Sequence, residues 1–162
     1  MTLGSICGMD GVSALRSRLR AERKKVVVTN GCFDLLHVGH LRYLLMARTL
    51  GEVLWLGIND DAGVKLLKGE NRPIHPAEER AELLAALRLV DVVTIFPGKK
   101  ATAFLKLVTP DVYAKGGDYT VETLDAEERE ALQAAHADIR ILPLVPGRST
   151  TSALAQLITG SK

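Results

Sequence analysis

Two of the four histidines of this 162-residue chain lie three residues apart, in the tetrapeptide His37-Val38-Gly39-His40. An apolar, β-like run over residues 26–29 precedes them, and a helix-like segment follows them. Imidazole N–H groups beside the free amides of a helix N-terminus form a favourable site for phosphate. Gly39 has no side chain, so an anion can approach the end of the helix closely. The tetrapeptide therefore predicts a nucleotide-phosphate site.

The same segment also contains the residue types of a zinc site. Cys32, Asp34, His37 and His40 are close enough in sequence to be considered as ligands. However, no second group of ligands follows at zinc-site spacing, and Cys32 and Asp34 fall in an apolar turn. We therefore assign no metal ligand and keep the phosphate interpretation.

Basic residues form a second candidate group. Lys65, Lys68 and Arg72 lie in a long predicted loop over residues 59–75, and Arg80 lies in the helix that follows. A solvated basic loop would explain any one of them, but as a group they could neutralise a phosphate chain, and loops of this length are often functional. Two later strand ends add further candidates, namely Lys115, Gly116, Gly117 and Asp118 after one strand and Ser149, Thr150 and Thr151 after the other.

Apolar runs and helical periodicity alternate along the chain. Strands are predicted at residues 26–29, 53–58, 92–96, 112–115 and 139–144. Helices are predicted at residues 12–22, 39–50, 77–89, 101–108, 126–135 and 150–158, with Pro76 at the first position of the third and Ser149 or Thr150 capping the last. Strands rich in Val, Ile and Leu without polar alternation are typical of parallel sheets buried on both faces. The pattern predicts an α/β fold, a Rossmann-like, doubly wound, five-stranded parallel sheet with helices on both faces.

Length and composition indicate one domain over residues 1–162, with an N-terminal helical extension (1–24) and a core (25–158). The net charge of +2 and the aromatic fraction of 4% favour no nucleic-acid partner. We see no membrane-length apolar run and no secretion signal. Because Cys7 and Cys32 form no disulfide framework, a cytoplasmic location is expected. Neither GxxxxGK[ST] nor GxGxxG is present, which disfavours both common nucleotide folds.

Taken together, the motifs resemble those of the cytidylyltransferase-like nucleotidyltransferase superfamily, whose hallmark is HxGH after the first strand. The resemblance covers residues 26–158 and implies the fold of that superfamily. In particular it resembles the adenylyltransferases of ADP-heptose synthesis, through TNGCFDLLH at 29–37, LKGENRP at 67–73, ER at 79–80, KGGDY at 115–119 and STT at 149–151.

The resemblance implies a reaction in which a sugar phosphate attacks the α-phosphorus of ATP and pyrophosphate leaves. The expected acceptor is D-glycero-β-D-manno-heptose 1-phosphate, with Mg²⁺ as the cofactor that accompanies ATP and a homodimer as the assembly. Catalytic roles are implied for His37, His40 and Lys68, and contacts with substrate phosphate for Arg72, Arg80 and Lys115. Nucleotide contacts are implied for Thr29, Asn30, Gly31, Phe33, Gly39, Lys65, Gly117, Asp118, Ser149, Thr150 and Thr151.

Two alternatives stay open. Glycerol-3-phosphate cytidylyltransferases, which use CTP, typically carry an arginine ahead of the last hydroxyl cluster, where this chain has Leu144. That departure favours ATP. A non-catalytic nucleotide-binding regulatory domain should have lost a histidine or the loop lysines, and this chain keeps them all.

Overall fold

The computed structural model describes residues 3–117 and 120–143 of the chain. Several predictions concern residues outside these ranges, so the structure does not test them. They are the last predicted helix, the end of the fifth predicted strand at Leu144, and the candidate contacts of Asp118, Ser149, Thr150 and Thr151.

The described residues form one parallel sheet flanked by helices. Its strands are β1 (Ser5–Ile6), β2 (Val26–Gly31), β3 (Val53–Asn59), β4 (Val92–Phe96), β5 (Val112–Gly116) and β6 (Asp138–Leu142). The helices are α1 (Val12–Ala21), α2 (Val38–Arg48), α3 (Asp61–Lys68), α4 (Ala77–Ala85), α5 (Thr102–Val108) and α6 (Ala126–Ala134). The strand order is β1-β4-β3-β2-β5-β6, and every pairing is parallel. The predicted doubly wound α/β fold is confirmed.

Helices cover both faces because successive strand residues point to opposite sides of the sheet. Val26, Val28 and Trp55 pack in the core formed with α1, α5 and α6. Val27 and Leu54 pack in a second core with α2 and α4. All seven residues of β3 are buried, which explains its continuous apolar run. Within the described part of the chain, no helix is long and apolar enough to cross a membrane.

Strand β1 makes the sheet six-stranded rather than five-stranded. Both of its residues are exposed, so no apolar run marked it in the sequence. Backbone hydrogen bonds hold it and its flanks against β4 and the end of α4, including Ser5 N to Asp91 O at 2.9 Å and Cys7 N to Val93 O at 2.8 Å. The N-terminal extension therefore contributes an edge strand as well as the predicted helix.

The prediction of an uninterrupted loop over residues 59–75 was wrong, because this region contains the helix α3. Asp60 is its N-cap, and its carboxylate accepts hydrogen bonds from Gly63 N at 2.7 Å and Gly98 N at 3.0 Å. Gly63 lies so close to Gly98 that a Cβ there would overlap the Gly98 carbonyl. A glycine lowers the intrinsic helix propensity of so short a segment, and tertiary contacts stabilise the helix instead.

Helix α4 begins at Ala77, as predicted, but it is shorter than the predicted helix over residues 77–89. Pro76 is its N-cap in extended conformation rather than its first helical residue. The helix ends at Ala85, and the chain then turns, with Leu87 N donating to Leu84 O at 3.1 Å and Val90 N donating to Leu87 O at 2.9 Å. This turn leads directly into β4.

Strand β2 lies where the winding of the sheet reverses, since β3 pairs with it on one side and β5 on the other. The chain builds outward from β2 through β3 to β4, and then returns to β5 beside β2. In open α/β sheets, ligands bind beyond the carboxyl ends of the strands at such a reversal. The histidine tetrapeptide follows β2 at this point.

Candidate active site

His37 forms the N-cap of helix α2 with its own imidazole ring. Its Nδ1 atom accepts a hydrogen bond from Gly39 N at 3.1 Å, and its backbone is extended. A ring nitrogen that accepts must be unprotonated, so the neutral ring carries its proton on Nε2. His37 therefore combines two functions: it satisfies one amide of the helix end and presents an N–H donor.

His40 stacks on His37, with 3.9 Å between ring centroids and 27° between ring planes. Phe33 also contacts His40, with 5.3 Å between the ring centroids and a tilt of 49° between the ring planes. Burial, reinforced by the neighbouring His37, lowers the pKa of His40 to about 4. The ring is therefore neutral at physiological pH, and the stack offers an anion hydrogen-bond donors at a positive helix end rather than two formal charges.

Two tyrosines hold the end of β2 against its neighbours. The Tyr43 hydroxyl donates to Ala114 O at 2.9 Å and lies 2.6 Å from Thr29 Oγ1, and burial raises its pKa to about 12. The Tyr113 hydroxyl donates to Asn30 Oδ1. Because Thr29 is only 1% exposed, its side chain anchors α2 and does not line a nucleotide pocket, contrary to expectation.

The sequence reasoning missed both tyrosines. Tyr43 lies three residues after His40, on the buried side of α2, and this spacing is the signal that could have identified it. Tyr113 offered no local signal, because it belongs to an ordinary apolar strand. Both act through β2, so they position the histidine segment without themselves being candidates for ligand contact.

Asp34 is buried and organises the chain segment before α4. Its carboxylate accepts hydrogen bonds from Ile74 N at 2.7 Å and His75 N at 3.2 Å and pairs with the guanidinium of Arg72. These contacts occupy the Asp34 carboxylate with protein donors. Among residues 3–117 and 120–143, no group of three His, Cys, Asp or Glu side chains is placed to hold a metal ion.

Four of the candidate cations lie near the loop between β2 and α2. Burial raises the pKa of the Cys32 thiol in this loop, while the nearby charges of Lys68, Arg80 and Arg72 act in the opposite direction. Lys115, at the end of β5, also interacts with Cys32, and burial lowers the pKa of this lysine. Three elements that are distant in sequence therefore bring positive charge to one loop.

The two lysines of α3, Lys65 and Lys68, are both exposed. Lys65 lies on a different face of the helix from the two buried residues of α3, Gly63 and Val64. Gly31 ends β2, and a Cβ at that position would lie 3.2 Å from the Phe33 ring. Gly117 follows β5 with φ of 119°, a conformation that favours glycine. These residues lie at the carboxyl edge of the sheet, on the same side as the histidine stack.

Arg80 is not placed to contact a substrate phosphate, contrary to expectation. Its side chain is wholly buried, and it donates to His75 O at 2.9 Å, Cys32 O at 2.7 Å and Asp61 Oδ1 at 2.8 Å. The sequence showed a basic residue near other basic residues. The fold turns that residue inward, where protein acceptors take up its guanidinium.

Comparisons with known proteins show which proteins this chain is similar to. The family model described as cytidylyltransferase-like matches residues 28–155. Proteins named bifunctional protein HldE from Syntrophotalea carbinolica and Geobacter sulfurreducens are 43% and 41% identical, over 90% and 93% of this chain. The matched region is 30% of each of those proteins, so this chain spans about a third of the relatives' length.

Two solved structures are similar in fold. A lipopolysaccharide core biosynthesis protein from Thermoplasma volcanium aligns with a TM-score of 0.61 and 25% identity, over 75% of this chain and 97% of that one. A pantoate-beta-alanine ligase from Francisella tularensis aligns with a TM-score of 0.58 over 99% of this chain and 79% of the other. At 13% identity, the second match concerns the fold alone.

Proposed function

Since this chain belongs to the cytidylyltransferase-like family of nucleotidyltransferases, we propose that it transfers AMP from ATP to a sugar 1-phosphate and releases pyrophosphate. The proposed acceptor is D-glycero-β-D-manno-heptose 1-phosphate, which would give an ADP-heptose. The motif series resembles that of the adenylyltransferases of ADP-heptose synthesis, and the similar Thermoplasma structure is that of a lipopolysaccharide core biosynthesis protein. Both observations support an acceptor from that pathway.

One structural observation carries the proposal: the His37–His40 stack at the N-terminus of α2, beyond the strand where the sheet reverses. Transfer of a nucleotidyl group needs stabilisation of negative charge on the α-phosphoryl group and on the departing pyrophosphate. Preorganised N–H donors at a positive helix end supply this stabilisation. The exposed lysines of α3 add formal positive charge.

The chemistry requires no general base. A sugar phosphate is largely ionised near neutral pH, because the second pKa of a phosphate monoester is about 6. One of its oxygens forms a bond to the α-phosphorus of ATP, and the bond from that phosphorus to the bridging oxygen breaks. The electron pair of the broken bond leaves with pyrophosphate. In this scheme His37 and His40 donate hydrogen bonds to the α- and β-phosphates, and Lys68 neutralises the transferring group, assisted by Lys65.

The two substrates occupy different walls of the site in this proposal. Mg²⁺ enters with ATP and is held by its phosphate oxygens. Asn30, Phe33 and Gly117 contact the nucleotide, together with Gly31 and Gly39, while Arg72 and Lys115 receive the sugar phosphate. Asp118, Ser149, Thr150 and Thr151 keep their expected nucleotide contacts. We also expect a homodimer and, because Cys7 and Cys32 are free thiols, a reducing compartment such as the cytoplasm.

Pyrophosphate release from a panel of substrates tests the proposal. The chain is incubated with Mg²⁺ and ATP or CTP, each combined with heptose 1-phosphate or glycerol 3-phosphate. We expect release with ATP and heptose 1-phosphate, and none when either substrate is omitted. Release only with CTP and glycerol 3-phosphate would identify a cytidylyltransferase instead. Silence with every pair would refute the transferase. A His40→Asn variant prepared in parallel controls for a contaminating enzyme.

A further inference from the structure

The buried arginine of helix α4 connects the two walls of the proposed active site. Arg80 Nη1 donates to Cys32 O, in the loop that leads to the histidine stack. Arg80 Nη2 bonds the carboxylate of Asp61, the first residue of the lysine-bearing helix α3. Arg80 Nε donates to His75 O, at the end of the segment that Asp34 holds. One rigid guanidinium thus touches three chain segments.

The geometry points to Arg80 as a positioning residue, one that sets the placement of the α3 lysines relative to the histidine stack. This inference rests on the proposed function, since it concerns how that site is assembled. The planar guanidinium is suited to the task because its donors diverge at fixed angles, so its acceptors cannot move independently. A lysine at position 80 would keep the charge and lose this fork.

The contacts of Asp61 explain how the constraint reaches Lys68. Asp61 begins α3 and Lys68 ends it, so a helix of eight residues transmits the placement of one end to the other. The opposite anchor is backbone, the carbonyl of Cys32, and Lys68 is close enough to influence the pKa of that residue's thiol. Small displacements matter here, because misplacing a reacting group by about 1 Å can cost about 10²-fold in rate.

A double-mutant cycle on turnover separates positioning from general stability. At saturating substrates we expect R80K and K68A each to lower kcat, R80K by about 10²-fold and K68A by about 10²- to 10³-fold. If Arg80 acts through Lys68, the R80K/K68A variant should lie within about tenfold of K68A. Multiplied losses in the double variant would overturn the proposal.

Two further variants control the cycle. Asp61 is 44% exposed in its side chain, so D61N should fold and should reproduce part of the R80K loss in kcat with little change in KM for ATP. R18M removes an arginine of α1 whose side chain is 69% exposed. By itself R18M should leave the wild-type kcat unchanged, and in combination with K68A it should leave the kcat of K68A unchanged. A D61N enzyme with wild-type kcat would contradict a constraint transmitted through α3.

Amide hydrogen exchange tests the proposal without any turnover. R80K leaves the sequence of α3 intact. We expect the amides of α3 to exchange at least tenfold faster in R80K than in the wild type, while the amides of β3 keep their wild-type rates. Unchanged exchange in α3 would overturn the Arg80 proposal even in an active enzyme. A wild-type chain that releases no pyrophosphate would instead overturn the proposed function, so the two failures are distinguishable.

Discussion

Replacement of His40 should make the protein more resistant to acid. The pKa of His40 is lowered from 6.5 to about 4 by burial and by His37. Above about pH 6.5 the ring is neutral in both folded and unfolded states, so it contributes no pH dependence. Between about pH 6.5 and pH 4 the unfolded chain takes up a proton and the folded one does not. The free energy of unfolding must therefore fall as the pH falls through this window.

The magnitude follows from the same pKa. At 1.36 kcal/mol per pKa unit, the full effect is about 3 kcal/mol, and we expect about 2 kcal/mol because the ring retains some solvent contact. Urea unfolding at about pH 7 and about pH 4.5 measures it. Wild type should lose more stability than His40→Asn over this interval, by about 2 kcal/mol. His136→Asn, at an exposed histidine, should behave as wild type.

Carboxylates that titrate in the same range are shared by these variants, so their contributions cancel in the comparison. Parallel loss of stability in wild type and His40→Asn would refute the reasoning.

A second measurement connects this result to the site: bound triphosphate should raise the pKa of His40. Binding of a non-hydrolysable ATP analogue at about pH 5 should then take up a proton, seen by calorimetry in two buffers of different ionisation enthalpy. Binding without proton uptake would show that the phosphates lie away from His40.

Two other substitutions, each paired with a companion variant, test the site and its support. Lys68→Ala should lower kcat by a larger factor than it raises KM for ATP, because the lysine stabilises charge that develops in the transition state. The control Lys106→Ala, on α5, should leave kcat and KM unchanged. Equal losses of binding energy in the ground state and the transition state would instead indicate that Lys68 only binds ATP. Tyr43→Phe should destabilise the fold by about 1–3 kcal/mol in urea, because Ala114 O and the Thr29 hydroxyl lose a buried partner. In a double-mutant cycle with Thr29→Val, the combined loss in free energy of unfolding should be smaller than the sum of the two single losses. Fully additive losses would contradict a hydrogen bond between Thr29 and Tyr43.

Much of the fold could be predicted because its signals are local. Buried strands of Val, Ile and Leu are readable from the chain, and four of the five predicted strands were found where expected. The fifth, β6, was confirmed only as far as the described residues extend. Strand β1 and helix α3 were missed because each is short and depends on partners that are distant in sequence. Strand β1 pairs with the backbone of β4, and helix α3 packs against the turn at Gly98.

The site divides in the same way. The histidine pair could be identified from its spacing and its position between a strand and a helix, and the structure places it at the end of β2 beside α2. The predicted substrate contact of Arg80 could not be corrected from sequence. Whether a guanidinium meets solvent or three protein acceptors depends on which segments pack around it.

The sequence by itself determined the parallel α/β architecture and the position of two histidines at a helix N-terminus, because apolar periodicity and residue spacing are properties of short segments. Only the tertiary structure decided what those side chains are chemically. It buries His40 beside His37 so that the His40 ring is neutral, it pairs the Thr29 hydroxyl with Tyr43, and it encloses Arg80 between the histidine loop and α3. Protonation and hydrogen bonding depend on burial and on partners from distant segments, and these exist only once the chain has folded.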